Sequence, residues 1–174
     1  DLRESLISKG HSFRSRSDSE VLVHLYEEYD VEMLQHLRGM FAFCIWDISK
    51  KQGIVARDHF GIKPLFYSYD GARLAFGSEL KSLSKTGLIS RDISYQAMDM
   101  FLAYNYIPAP HTIFKDAQKL KPAHYISFDN EGAFEIHKYW DPNDVEGGDA
   151  VDPVAYVEEG VKESVKYHLE SDVD

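Results

Sequence analysis

The chain has almost no cysteine. Cys44 is the only one among 174 residues, so no internal disulfide can form, in keeping with a reducing compartment. It is also short of positive charge, with 19 Lys and Arg against 29 Asp and Glu and a net charge of −10. Neutralising a phosphate backbone takes clustered cations, so no nucleic acid partner is expected, and small molecules or a protein partner fit better. No apolar run approaches the roughly 20 residues that a membrane span requires. No basic start followed by an apolar segment marks a secretory signal. The expectation is a soluble, cytoplasmic protein without membrane contact. A glycine-rich phosphate loop is missing as well, which places nucleotide chemistry outside these residues. The eight histidines (His11, His24, His36, His59, His111, His124, His137 and His168) include no HxxxH pair and no close cysteine partner. On spacing, therefore, no metal site is expected.

What is present is centred on the stretch from Leu37 to Leu65. At 44% hydrophobic and 13% aromatic residues, the chain can bury one sizeable core, and its length suggests one domain with a second begun. From Met40 to Trp46 the alternate positions Phe41, Phe43, Ile45 and Ala42, Cys44, Trp46 are apolar on both sides. This predicts a strand covered on both faces and central in its sheet. A polar turn over Ser49 to Gly53 leads into a second strand, Ile54 to Arg57, and so to a hairpin. Gly61 and Pro64 shape the connection after it. Further hairpins are expected around Asp70-Gly71-Ala72 and around Asp129 to Gly132, with the sheet growing as a meander.

Helices are expected over Leu2 to Lys9, ending at Gly10, and from Ser17-Asp18-Ser19-Glu20, where Ser17 and Glu20 stand at capping-box spacing. Val21, Leu22, Leu25, Tyr26 and Tyr29 form the buried face of the second. Ser78 is read as the cap of a short helix through Leu83, and Ser94 as the start of another that buries Ala97, Met98, Phe101 and Leu102. Asp141 to Asp152 reads as a linker. Asp152 and Pro153 then open a helix with Val154, Val157, Val161, Val165 and Leu169 on one face.

Few residues invite chemistry on their own account. Cys44 lies mid-strand, with neither an amine nor a helix terminus to lower its pKa, and reads as a core thiol. Arg57 and Asp58 close a covered strand and read as a structural ion pair. Glu79 reads as a first-turn helix acid, and Tyr67, Tyr69 and Tyr104 as core and rim aromatics. Asp18, in the first turn of its helix, reads by itself as an acid favouring the positive end of the helix dipole.

The segments LRGMFAF, ARDHFGIKPLFY and FGSELKSL, in this order and spacing, resemble the glutaminase half of glutamine-dependent asparagine synthetase. The likeness extends from Leu2 to Val173 and includes YIPAPHTIFKDAQKLKPAHY. It implies an α+β fold, an N-terminal-nucleophile hydrolase-type αββα sandwich that is incomplete here. Residues 1–140 would be the later part of the glutaminase domain, 141–152 a linker, and 153–174 the start of an ATP-pyrophosphatase-type synthetase domain. In that family the Asp of an SD-x-E segment binds the α-ammonium of glutamine, a role the resemblance carries to Asp18 in SDSE. The nucleophilic cysteine, the oxyanion Asn and Gly, and the Arg that holds the substrate carboxylate belong to segments before Leu2. No catalytic residue is therefore expected within the chain, which is read as an inactive fragment. For the parent protein the resemblance implies glutamine, aspartate and ATP as substrates, Mg2+ with the ATP, a synthetase domain in cis and a possible homodimer. A related class II amidotransferase with another acceptor, and a non-catalytic interaction module, are the alternatives.

Overall fold

Backbone amides left over at helix ends decide where the first helices start and stop. In the computed structural model, which describes residues 2–144 and 152–169, α1 (Leu2–Ser8) ends in a Schellman turn. Gly10, at φ 99°, donates to Ile7 O at 3.0 Å, and His11 N donates to Leu6 O at 3.1 Å. Glycine adopts that left-handed backbone without a Cβ penalty. Ser17 caps α2 (Asp18–Tyr29), its hydroxyl accepting from Ser19 N at 3.2 Å. A 3-10 run over Asp30–Gln35 follows, for which the sequence pattern gave no warning, and it buries Met33 and Leu34 completely. Helix α3 (Leu80–Leu83) begins one residue later than expected: Glu79 is its N-cap residue, and no side chain caps it. Helix α4 (Tyr95–Tyr104) is capped as expected, Ser94 accepting from Ala97 N.

All three hairpins form. Strand β1 (Ala42–Asp47) pairs with β2 (Gln52–Arg57), β3 (Phe66–Tyr69) with β4 (Leu74–Gly77), and β6 (His124–Asp129) with β7 (Phe134–Lys138). They do not make one meander. β2 pairs with β6, which gives a four-stranded antiparallel sheet of order β1-β2-β6-β7. β3 and β4 join the short β5 (Gln118–Lys119) in a separate sheet of order β4-β3-β5. Hairpin formation is local, whereas sheet membership depends on which faces are stacked, and a turn signal carries no information about that.

The expected place of β1 is also corrected. Among the described residues it is an edge strand, and β2 is the buried one, with Val55 and Ala56 fully covered. Apolar residues on both faces report layers above and below a strand, not which strand lies beside it. Even those layers are uneven. Phe41, Phe43 and Ile45 pack on the helices, and Ala42 reaches the second sheet. Cys44 and Trp46 remain exposed.

The layers follow from the alternation along β2. Ile54 and Ala56 point into a core shared with Leu6 of α1, Leu25 and Tyr26 of α2, and Met33 and Leu34. Val55 points the other way, with Ile126 of β6, toward Tyr67 of β3 and Leu74 of β4. Beyond the second sheet, Leu83 of α3 packs with Ile89, Ala117 and Phe66. Helices, sheet, sheet and helix thus stack in that order. The face of α4 expected to be buried is mostly not: only Ala97 is buried, and Met98, Phe101 and Leu102 are exposed.

Residues 142–174 form a second compact unit. Its main element is α5 (Pro153–His168), and Asp152 caps it by accepting from Val154 N at 3.0 Å and Ala155 N at 3.1 Å. Lys162 pairs with Glu158 one turn earlier, and Val154, Val157, Val161 and Val165 are exposed. Most of the expected linker, residues 145–151, and the last five residues lie outside the described residues. Within those described, no helix is long and apolar enough to cross a membrane.

Candidate functional site

The start of α2 is built from two sides. Glu20 does not reach back to its cap residue in a capping box. Instead, its carboxylate accepts from Arg14 N and Ser15 N, both at 2.7 Å, and from the Ser15 hydroxyl at 2.6 Å. Arg3 of α1 takes the opposite polarity, donating to Ser15 O at 2.7 Å and Ser17 O at 3.1 Å while its guanidinium lies over the Phe13 ring. The loop before Asp18 is therefore held by an acid on its amides and a base on its carbonyls. Asp18 itself is exposed. Among the described residues its carboxylate meets only the hydroxyls of Ser17 and Ser19, both at 3.4 Å, long for O–H···O bonds. An anion with most of its acceptor capacity unspent, at a helix start that a fixed loop leads into, is suited to a cationic ligand group.

The clamp made by Glu20 titrates. The Arg14 amide, the Ser15 hydroxyl and the Ser15 amide hold its carboxyl down to about 2 from an ordinary 4.5. A depressed carboxyl stabilises the fold above its unfolded value and loses that contribution as pH falls through the folded one. Glu20→Gln is therefore expected to lower the urea midpoint at neutral pH, with the gap to wild type closing between about pH 4.5 and about pH 2. Urea titrations at several pH values check this. A gap that is constant with pH would show that the carboxylate is not what holds the loop.

A second clamp sits after β2. Arg57 and Asp58 turn on the loop that follows rather than forming the ion pair expected from sequence. The Arg57 guanidinium donates to Lys63 O at 2.8 Å, Leu120 O at 2.5 Å and Gly61 O at 2.6 Å. Asp58 is completely buried. Its carboxylate accepts from Phe60 N at 3.1 Å and from Ile62 N and Lys63 N, both at 2.9 Å. Gly61 sits at φ 67°, and a Cβ there would meet the Arg57 guanidinium carbon at 3.0 Å. Tyr139 closes the turn by donating to Arg57 O at 2.8 Å, and burial pushes its phenol well above the ordinary range. His59 is ringed by Phe41, Tyr139 and Trp140, and desolvation lowers its pKa.

The remaining candidates carry no activated group. Cys44 is exposed rather than in the core, yet its neighbours still desolvate the thiol and raise its pKa, away from a thiolate nucleophile. Glu79 is exposed beside α3. Tyr67 donates to Gln118 and Tyr69 to Gly132 O, both at 2.7 Å, as core and rim residues do, and Tyr104 is exposed. One grouping has no signature in sequence spacing. His11 and His24 lie 13 residues apart in sequence, and their Nδ1 atoms stand 3.2 Å from each other. A pair joined through tertiary packing has no motif. Its only local trace is that His24 and Glu27 share one face of α2.

Residues 1–140 match the family described as glutamine amidotransferase domain. The chain is 35% identical to asparagine synthetase [glutamine-hydrolyzing] 3 of Bacillus subtilis, over 99% of this chain and 28% of that protein. It is 34% identical to a putative asparagine synthetase of Methanocaldococcus jannaschii, over 90% of this chain and 31% of the relative. The amidase chyE of Penicillium rubens is also similar, at 34% identity over 98% of this chain and 25% of the amidase. The chain thus spans about 30% or less of the length of these relatives. Among solved structures, glutamine phosphoribosylpyrophosphate amidotransferase of Bacillus subtilis shares the fold, with a TM-score of 0.56 and 21% identity over 80% of this chain and 26% of that one.

Proposed function

The chain belongs to the glutamine amidotransferase domain family, and from that premise we propose that it is the later part of the glutaminase of an asparagine synthetase. The parent protein would hydrolyse glutamine and deliver the ammonia to an ATP-activated aspartate. The observation that carries this is 35% identity to a glutamine-hydrolysing synthetase along 99% of the chain. In this reading the helix, sheet, sheet and helix order is an N-terminal-nucleophile αββα sandwich. Asp18 takes the α-ammonium of glutamine, and the residues around α5 begin the synthetase domain. Aspartate, ATP and its Mg2+ would be handled by further polypeptide, because these 174 residues hold no glycine-rich phosphate loop. The nucleophile would also be supplied from elsewhere, since Cys44 is neither terminal nor low in pKa. The hydrogen-bonding edge of β1, open among the described residues, and the exposed Cys44 and Trp46 on that strand suit further strands. A second reading, an amidotransferase with another acceptor, stands beside it because the chain is as similar to a protein not named an asparagine synthetase, the amidase chyE.

Expression of the complete reading frame tests the proposal. Release of glutamate from glutamine, with asparagine formed from aspartate and ATP, is the expected result. Glutamate release without asparagine would select the second reading, and neither product would sink both. A polypeptide of these 174 residues alone is expected to release no glutamate, and Cys44→Ala to leave that result unchanged.

A further inference from the structure

The Schellman turn that ends α1 aims His11 at α2, where it meets His24, one turn before Glu27. His11 Nδ1 stands 3.2 Å from His24 Nδ1. His24 Nδ1 is 2.8 Å from Glu27 Oε2, and His11 Nδ1 is 3.6 Å from that same oxygen. Tetrahedral sites with bonds of about 2.0–2.1 Å have ligand-to-ligand edges of roughly 3.3 Å. The three edges straddle this value. A point ~0.8 Å off the plane of the three atoms lies ~2.05 Å from each, close to the ~0.7 Å of an ideal site.

The hydrogen-bond partners leave room for a cation. Glu28 Oε2 lies 3.1 Å from His11 Nε2 and is itself held by Lys9 at 2.7 Å on its other oxygen. An Nε2–H donated to that carboxylate leaves the lone pair of His11 on Nδ1, inside the triangle. One proton on His24 Nδ1 then serves two acceptors, His11 Nδ1 and Glu27. A cation in its place, with the His24 ring proton moved to Nε2 on the side of Glu20 Oε1, 3.9 Å away, would be held by all three ligand atoms at once. Carboxylates behind metal-bound histidines play the orienting part that Glu28 plays here. The Phe13 ring, edge-on to His24 at 4.5 Å, fixes the second imidazole. Both histidine side chains are 16% exposed, and Glu27 is 57% exposed, so the pair is sheltered while the open position faces water.

We infer that His11 Nδ1, His24 Nδ1 and Glu27 Oε2 form a three-ligand site for a zinc-class divalent cation, with solvent in the fourth position. Two imidazoles and one carboxylate are a borderline donor set of the kind that favours zinc over calcium or magnesium. The site joins the turn that ends α1 to the second half of α2, and so braces the loop that presents Asp18. The inference rests on this geometry alone and stands whether or not the proposed function does.

The test is calorimetric titration of the EDTA-stripped chain with Zn2+ alone, repeated with Co2+ and visible absorption. One equivalent of Zn2+ is expected to bind saturably, and Co2+ is expected to give the intense bands of four-coordinate cobalt. His11→Ala and His24→Ala should abolish both signals. Glu27→Gln, at an exposed position where the fold is not at stake, should weaken binding at least about 10-fold, and Glu28→Gln by roughly 10- to 100-fold. If the histidine variants fail to fold, the two glutamine variants decide alone. No saturable binding, or binding that Glu27→Gln and Glu28→Gln leave unchanged, would overturn the site and return the cluster to a plain histidine hydrogen bond.

Discussion

Asp58→Ala is expected to cost the fold on the order of 2–4 kcal/mol, because it strips a fully buried acceptor from the part-buried amides of Phe60, Ile62 and Lys63. An orphaned buried amide costs about 1–3 kcal/mol, and these three, part-buried within one turn, do not add in full because the loop can relax and water can reach some of them. A total of this size is a large share of the roughly 5–15 kcal/mol that keeps a domain folded. The two carboxylate oxygens are unequal, which supplies an internal control. Oδ1 accepts from Phe60 and Ile62, and Oδ2 from Lys63. Asp58→Asn can keep its carbonyl on the first two, but it sets an NH2 group against the Lys63 amide. It should therefore lose less than alanine, about 2 kcal/mol. Urea unfolding followed by near-ultraviolet circular dichroism ranks the variants. An alanine variant within about 1 kcal/mol of wild type would mean the loop finds other acceptors.

The loop around Asp58 was half legible in the sequence. Gly61 and Pro64 announced a shaped connection, and the Arg57–Asp58 pair at a strand end announced that buried charge had to be satisfied. Sequence could not say by what, because backbone amides and carbonyls are present at every residue and leave no mark. The nearest opposite charge was the natural guess. The helices are legible where a side chain does the capping, as at Ser17, Ser94 and Asp152. They are less legible where burial depends on a partner, as on the exposed face of α4. All three hairpins were legible from their turns, and the division into two sheets was not. The alternation through Phe43 and Cys44 spoke of covering layers, while the neighbour along the hydrogen-bonding edge of β1 leaves no side-chain signature. His11 and His24 were invisible as a pair for a related reason: sequence spacing measures contact only within one element.

Two loops of this chain are fixed by the same device. Arg3 and Glu20 hold the loop ahead of α2, and Arg57 and Asp58 hold the loop after β2. In each, a guanidinium takes the carbonyls and a carboxylate takes the amides. Such loops keep one shape without a hydrophobic core of their own, so a group carried on them is placed before any ligand arrives. Preorganisation of that kind lowers the ordering cost of binding. The first of these loops leads directly into Asp18, whose carboxylate its own surroundings leave nearly unused.

Asp18→Asn in the full-length protein is accordingly expected to lower kcat/KM for glutamine by about 10- to 100-fold, mostly through KM. That is the size of one charge-assisted hydrogen bond of about 1.5–3 kcal/mol to the α-ammonium. A helix-dipole role predicts something else, a stability loss of about 0.3–1 kcal/mol with KM untouched. The long 3.4 Å contacts of Asp18 with Ser17 and Ser19 give little to lose on folding, so the urea midpoint should move only slightly. A glutamine analogue lacking the α-amino group separates the cases further. Wild type should discriminate strongly against it as an inhibitor, and Asp18→Asn should bind both compounds about equally, since the group that tells them apart has lost its partner. Equal discrimination by both proteins would place the amine elsewhere and leave Asp18 as a helix-start acid.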